Sequence, residues 1–312
     1  MQAFFADYLS LQLPPGHRFP FQKYGLLRER VAGELGSLSL NPAPPASEGE
    51  LALAHEPHYI TAMLQGHLSA AQQREIGFPW SPAMADRACR SVGATIAAAR
   101  VALREGVAAN LAGGTHHASA AMGGGYCVFN DVAVAARLMQ AEWHRLHIKL
   151  MREAEIELDV HQGNGTAEIF RDDPTVFTLS LHGAKNFPFR KQPGDLDVDL
   201  PDGCGDDDYL DALDAALAQL WARHGDHPPD LIFYLAGADP HEGDRLGRLK
   251  LSTAGLAERD RRVFAAALAR RIPLALSMAG GYGRDLADTV QVQVNTLTLA
   301  EQHWQRWNNQ AP

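Results

Sequence analysis

"LIFYLAGADP", residues 231–240, decides the fold. Five apolar residues run without alternation, and a small-residue turn then leads straight to Asp239. A strand with one wet face alternates apolar and polar residues. An unbroken apolar run of strand length belongs to a parallel sheet covered on both faces. "TVFTLSLHG" (175–183) and "IPLALSMAGGY" (272–282) have the same form, and "VAANLAGG" (107–114) leads into the adjacent pair His116 and His117. Ligands of open parallel sheets bind beyond the carboxyl ends of the strands. Asp239, Tyr282, His182 and the histidine pair are therefore expected along one rim. Glycine lets the chain turn sharply there and lets a ligand come close.

Helical patterns alternate with these runs. They cover residues 85–106, 130–146, 206–225 and 252–271, with Asn130 or Asp131 and Ser252 or Thr253 as candidate caps. Strands alternating with helices predict one α/β domain over residues 1–312, with a mainly parallel central sheet flanked by helices. The proline-rich stretch "LNPAPPASEGE" (40–50) reads as a surface loop and not a domain boundary.

Composition narrows the function classes. Of 312 residues, 28 are Lys or Arg and 37 Asp or Glu, a net charge of −9. Phosphate binding needs a basic face, so nucleic acid is not the expected partner. The balance tolerates a cationic substrate without selecting one. The first residues lack the basic flank and long apolar run of a secretory leader, and no run approaches membrane-spanning length. Cys89, Cys127 and Cys204 have no paired spacing, which predicts a reducing cytoplasm and no disulfide framework.

The chemistry sits in "EIELDVHQGNGTAEIF" (155–170). Asp159 and His161 are two apart and share a face if the segment is a strand. With Asp239 from a neighbouring strand end they make a three-donor metal set that leaves one position for solvent. Taken singly, each element has a plainer reading. A D-x-H is usually a surface pair, an aspartate after a strand is usually a cap, and a tyrosine after two glycines is usually packed. Their joint placement at successive strand ends raises the metal reading above these. The "GGGY" at 123–126 lacks the context of a phosphate loop.

"AGGTHHA", "GGGYCVFNDVAVAA", "LDVHQGNGT", "LSLHG", "AGADP" and "AGGY" stand in the order seen in the histone deacetylase family. The chain resembles its short bacterial members nearest the class IV type, and "LPPGHRFPFQKYGLL" (13–27) and "IGFPWSP" (76–82) agree with that subgroup. The resemblance implies an arginase/deacetylase fold and zinc-dependent hydrolysis of an N-acyl amide, with ferrous iron as the alternative metal. It implies Asp159, His161 and Asp239 as metal ligands. His117 becomes the general base and then acid, His116 its charged neighbour, and Tyr282 the oxyanion donor. Glu157 and Asn164 become the partners of His116 and His117. Gly125, Tyr126 and Phe187 become the walls of the acyl-lysine tunnel. Glu157, Asp159, Ser180 and the Leu181 carbonyl become a structural potassium site. The implied partner is an acylated lysine of a protein, or an acylated polyamine or other small amine.

Two alternatives remain beside it. A non-catalytic acyl-ligand binder would keep the fold without turnover. A two-metal ureohydrolase would need several more Asp and His ligands than the one D-x-H found.

The chain departs from the family in "IKLMREAEIELDVHQ" (148–162). Arg152, Glu153 and Glu155 stand where a central strand should be apolar, and burying such charges is costly unless they are paired. The expectation is therefore a short strand, 156–160, with residues 142–154 extending the preceding helix or forming a loop. Glu157 replaces an aspartate, and its added methylene predicts weakened activity or altered potassium coordination.

Overall fold

The computed structural model of this chain describes residues 1–7, 11, 13–147 and 151–309. Its strands are β1 (Gln2–Phe5), β2 (Ser39–Pro42), β3 (Val107–Asn110), β4 (Glu153–Glu157), β5 (Val176–Gly183), β6 (Leu196–Leu200), β7 (Leu231–Leu235) and β8 (Leu274–Ser277). The helices are α1 (Lys23–Glu34), α2 (Glu48–Leu51), α3 (Pro57–Gln65), α4 (Ala70–Ile76), α5 (Pro82–Glu105) and α6 (Asp131–His147), followed by α7 (Asn164–Phe170), α8 (Asp206–His224), α9 (Thr253–Ala269) and α10 (Leu286–Asn309). The strands form one eight-stranded sheet in the order β2-β1-β3-β8-β7-β4-β5-β6. Every pairing is parallel, so the single α/β domain carries an all-parallel sheet.

Side-chain alternation along the central strands feeds two cores. Ala154, Ile156, Ile232, Tyr234, Leu274 and Leu276 pack with Leu213, Val263 and Leu297 of α8, α9 and α10. Leu231, Phe233, Leu235 and Ala275 pack with Val92, Val132 and Phe170 of α5, α6 and α7. Both faces are dry, which accounts for the unbroken apolar runs. Ser252 caps α9 by accepting from the Gly255 N–H, as its sequence position suggested.

Three expectations need correction. Residues 40–50 are not all loop. Ser39–Pro42 form the edge strand β2, where proline is tolerated, and Ser47 and Glu50 close a capping box on α2. The metal-motif strand is not 156–160 but β4, because its ladders to β5 and β7 run from Glu153 to Glu157. Glu153 and Glu155 are thus fully buried, while Arg152 is exposed. The helix before it does extend, to His147; residues 148–150 of the stretch lie outside the described residues. Asp159 and His161 consequently sit past the end of β4 and not on a strand.

Candidate active site

Four adjacent strands, β3, β8, β7 and β4, end side by side. The loops after them carry His116 and His117, Tyr282, Asp239, and Asp159 with His161. Beyond β3, Asp131 at the start of α6 accepts from the Gly114 and Thr115 N–H groups at 3.1 and 2.7 Å and from the Thr115 hydroxyl at 2.6 Å. Gly113, at φ +76°, lies where a Cβ would strike Asn110 and Asp131. The Gly165 and Thr166 N–H groups donate to the His116 carbonyl at 2.9 and 3.2 Å, tying the histidine loop to α7.

The imidazole rings of His116 and His117 are 4.2 Å apart and have different partners. His116 Nδ1 lies 2.6 Å from Glu157 Oε1. His117 Nδ1 lies 2.7 Å from Asn164 Oδ1. An amide oxygen only accepts, so His117 Nδ1 donates and, in the neutral ring, Nε2 is left without a proton. Burial lowers the pKa of His116, but the charge and hydrogen bond of Glu157 outweigh it and hold the imidazole at about 9. Burial, then the charge of His116, push His117 well below its ordinary value. One ring is built to be charged and the other neutral.

Asp159, His161 and Asp239 are buried, and each offers a donor atom within 4.8 Å of the other two. They are the one such group of three found among the described residues. His161 Nδ1 lies 2.9 Å from Asp159 Oδ1 and 3.2 Å from Asp239 Oδ2. The Val160 N–H donates to Asp239 Oδ1 at 2.9 Å and the Gly280 N–H to Asp159 Oδ2 at 2.7 Å, which orients both carboxylates. A Cβ on Gly280 would fall into both of them. Buried Arg259 donates to the Leu158 and Gly237 carbonyls at 3.0 and 2.6 Å, bracing the two turns that carry the aspartates. Burial pushes Asp239 up to about 7, Asp159 adding to the shift, whereas the hydrogen bonds and charge of His161 outweigh burial at Asp159 and hold it well below its ordinary value. Two oriented carboxylates and an imidazole, dry and cramped against a glycine, fit a divalent ion.

Tyr282 is buried, its ring 6.3 Å from that of His161. Asp244 accepts from the Tyr282 N–H at 2.6 Å. A cavity of about 340 Å³ opens outward, lined by Gly125, Tyr126, Phe187, His117, His161 and Tyr282. All three predicted tunnel residues therefore meet. A Cβ on Gly125 would come within 2.6 Å of His117 and 3.0 Å of Phe187, so only glycine fits.

Other predicted residues fare differently. His182 lies inside β5, between Ser180 Oγ at 2.9 Å and Asp199 Oδ1 at 3.1 Å, and does not line the cavity. Glu157 and Ser180 are register partners, with Leu181 next along β5. Glu157 still reaches His116; the added methylene brings its second oxygen into the space a Cβ on Gly163 would need. Two site residues had no role that the sequence assigned. Lys23, 1 % exposed, donates to the carbonyls of Ala279 and Gly281 at 3.4 and 3.2 Å and lies 5.4 Å from the Tyr282 ring centre. Arg259 is the other. Both act on backbone carbonyls far away in the chain, which no local pattern records.

This chain matches the histone deacetylase domain over residues 17–297. It is 43% identical over 286 residues to an uncharacterized protein of Picosynechococcus sp. (strain ATCC 27264 / PCC 7002 / PR-6), covering 91% of this chain and 92% of that one. It is 35% identical over 212 residues to histone deacetylase 2 of Arabidopsis thaliana, covering 67% of this chain and 53% of the relative. The chain thus spans about half the length of that plant protein. The crystal structure of an HDAC homolog from Aquifex aeolicus superimposes with a TM-score of 0.79 at 24% identity, over 96% of this chain and 83% of that one, and shares the fold. With one domain matched nearly end to end and its motifs gathered at neighbouring strand ends, the chain belongs to the histone deacetylase family.

Proposed function

We propose that this protein is a metal-dependent deacylase that hydrolyses an N-acyl amide of a lysine-like amine to a carboxylate and a free amine. The observation that carries the reading is the buried group Asp159, His161 and Asp239, with His117 and Tyr282 beside it. These three residues would hold zinc, and the same donors suit ferrous iron. When bound, the ion supplies Lewis acidity toward the acyl carbonyl and makes solvent a better nucleophile at neutral pH.

The side chains do the rest. His117, neutral and fixed by Asn164, takes the proton of the attacking solvent at Nε2. It returns that proton to the amine nitrogen as the C–N bond breaks. His116, paired with Glu157, stays charged and helps keep His117 neutral until it is called on. Tyr282 donates its hydroxyl proton to the oxygen that gains charge, an interaction worth about 3–4 kcal/mol at comparable sites. Gly125, Tyr126 and Phe187 surround the substrate stem. The same reading assigns a structural potassium ion to Glu157, Asp159, Ser180 and the Leu181 carbonyl.

The test uses a fluorogenic acetyl-lysine peptide. Chelation should abolish turnover, and zinc or ferrous iron should restore it. Turnover that survives complete metal removal would overturn the proposal.

A further inference from the structure

The mouth of the tunnel is cationic in a protein whose net charge is −9. Arg74 and Glu75, at the end of α4, line the 340 Å³ cavity together with Leu246. Leu246 also lines an adjoining hollow of about 320 Å³, whose other walls are Arg18 and Arg245. Arg18, Arg74 and Arg245 are exposed, and no ion pair found among the described residues includes any of them. By contrast, Arg28 and Arg248 are neutralised by Asp7 at 2.8 Å and Asp202 at 3.1 Å. Among the described residues, Glu75 is the one carboxylate lining either hollow. Nearby Asp244 is buried and spent on the N–H groups of Tyr282, Leu246 and Gly247, at 2.6, 2.7 and 2.9 Å.

One of these arginines is held by its own side chain. Arg245 donates from Nε to the Tyr282 carbonyl at 3.0 Å and from Nη2 to the Arg18 carbonyl at 3.3 Å. His17 Nε2 lies 2.8 Å from the Gly77 carbonyl, and the Gly125 N–H donates to the Glu75 carbonyl at 2.9 Å. The rim is thus bonded to the tunnel wall and to the loop of Tyr282. A guanidinium with no carboxylate partner, set in a hollow, can take an oxyanion through two parallel hydrogen bonds, as the forks of Arg18 and Arg74 can, whereas Arg245, with Nε and Nη2 on carbonyls, adds its charge and Nη1.

We propose that the rim formed by Arg18, Arg74 and Arg245 selects acyl-amine substrates that carry a carboxylate outside the tunnel, and disfavours polycationic ones. The proposal rests on the hydrolase reading above. The carboxylate has two sources of the same chemistry: the α-carboxylate of a free N-acyl amino acid, or Asp and Glu side chains flanking an acyl-lysine in a peptide. An acylated polyamine brings the wrong charge to the same place, where like charges repel.

The test compares acetyl-lysine peptides flanked by aspartates, by serines and by lysines, together with free Nε-acetyl-lysine and an acetylated polyamine. For the zinc-loaded protein, kcat/KM should rank acidic above neutral above basic, by about fivefold to tenfold from end to end at low salt, and should converge at high salt. Arg18 uses only its carbonyl in the rim bonds, so Arg18→Glu removes charge without removing a bond. In that variant the ratio of acidic to neutral peptide should fall about threefold or more. Arg74→Glu should act in the same direction. Free acetyl-lysine outrunning its α-amide would assign the rim to the α-carboxylate; equal rates for the two, with the acidic peptide fastest, would assign it to flanking side chains. A flat ranking, or one that Arg18→Glu leaves unmoved, would overturn the proposal. Anisotropy of the same peptides, labelled, separates the two readings. Acidic-first binding with no turnover of any substrate would sink the hydrolase and leave the rim preference standing.

Discussion

At the scale of single residues, the site depends on reach. Glu157 contacts His116 at 2.6 Å from a strand held by ladders on both sides, so the backbone cannot follow a shorter side chain. The added methylene, expected from the sequence to weaken activity, is here what lets Glu157 reach His116, so Glu157→Asp should withdraw the carboxylate by more than 1 Å and lower kcat by about 10- to 100-fold, the usual cost of losing a supporting partner. With Glu157 gone, burial is opposed only by the charge of Asp159 and is reinforced by that of His161, so the His116 pKa should drop from about 9. The alkaline limb of the pH–rate profile should therefore move to lower pH in Glu157→Gln as well. An unmoved limb in both variants would argue against a charged His116. Gly280 makes the complementary case, since a methyl group there has no room beside Asp159 and Asp239. Gly280→Ala should abolish stoichiometric zinc binding, read by atomic absorption.

At the scale of elements, β4 is the anomaly. Glu153, Glu155 and Glu157 alternate onto the face of the sheet that packs on α5, α6 and α7, among Leu231, Phe233 and Leu235. Among the described residues, both carboxyl oxygens of Glu153 lack a hydrogen-bond partner, and Arg137 is bonded to Asp173. Burial holds Glu153 and Glu155 well above the usual carboxylate range, so they fold protonated. The native state then binds protons that the unfolded chain has released, and this contribution to stability falls as pH rises past the unfolded value of about 4.3. Glu153→Leu should stabilise the protein by about 1–3 kcal/mol at neutral pH, and by less near pH 4.5, as measured by denaturant midpoints. A gain that does not depend on pH would mean that Glu153 is not proton-linked. The same strand explains where sequence reading failed. β5, β7 and β8 were legible because both of their faces are dry. β4 was misplaced because its charges argued against burial that the ladders nonetheless impose. β1 and β2 are only partly buried and β6 alternates in burial, so none carries an unbroken buried run; α10 buries Thr289, Gln293 and Thr296, which blurs its apolar stripe. The metal and histidine motifs stood out because glycines and chemistry-bearing residues recur at strand ends, whereas the bracing by Lys23 and Arg259 exists only in three dimensions.

At the scale of the whole molecule, the proposed ligands join the ends of two adjacent central strands. Asp159 and His161 follow β4, Asp239 follows β7, and Gly280 beyond β8 closes over both carboxylates. An ion held there binds the folded chain and has no preformed site in the unfolded one, so it adds stability by mass action, about 2.7 kcal/mol at a hundred times its dissociation constant. The size of that effect should depend on pH. Without metal, burial pushes Asp239 up to about 7. His161, pulled down by burial but lifted by its bonds to Asp159 and Asp239, sits at about 10. Both pKa values are raised above their unfolded values, so the metal-free protein loses these contributions as pH rises from about 4 to 7 and from about 6.5 to 10. Asp159, shifted the other way, stays ionised in both states above about pH 5 and adds no slope. A bound cation replaces the protons on Asp239 and His161, so its affinity grows as they become easier to remove. Melting zinc-loaded and chelator-treated protein side by side should show Tm higher in the loaded form by several degrees, with the gap wider at pH 8 than at pH 6. Taking the difference cancels histidines remote from the ligands, such as His55 and His303, which burial depresses to about 4. A gap that stays constant or narrows as pH rises would mean that protons and metal do not compete for Asp239 and His161, and that the ion, if it binds, binds elsewhere.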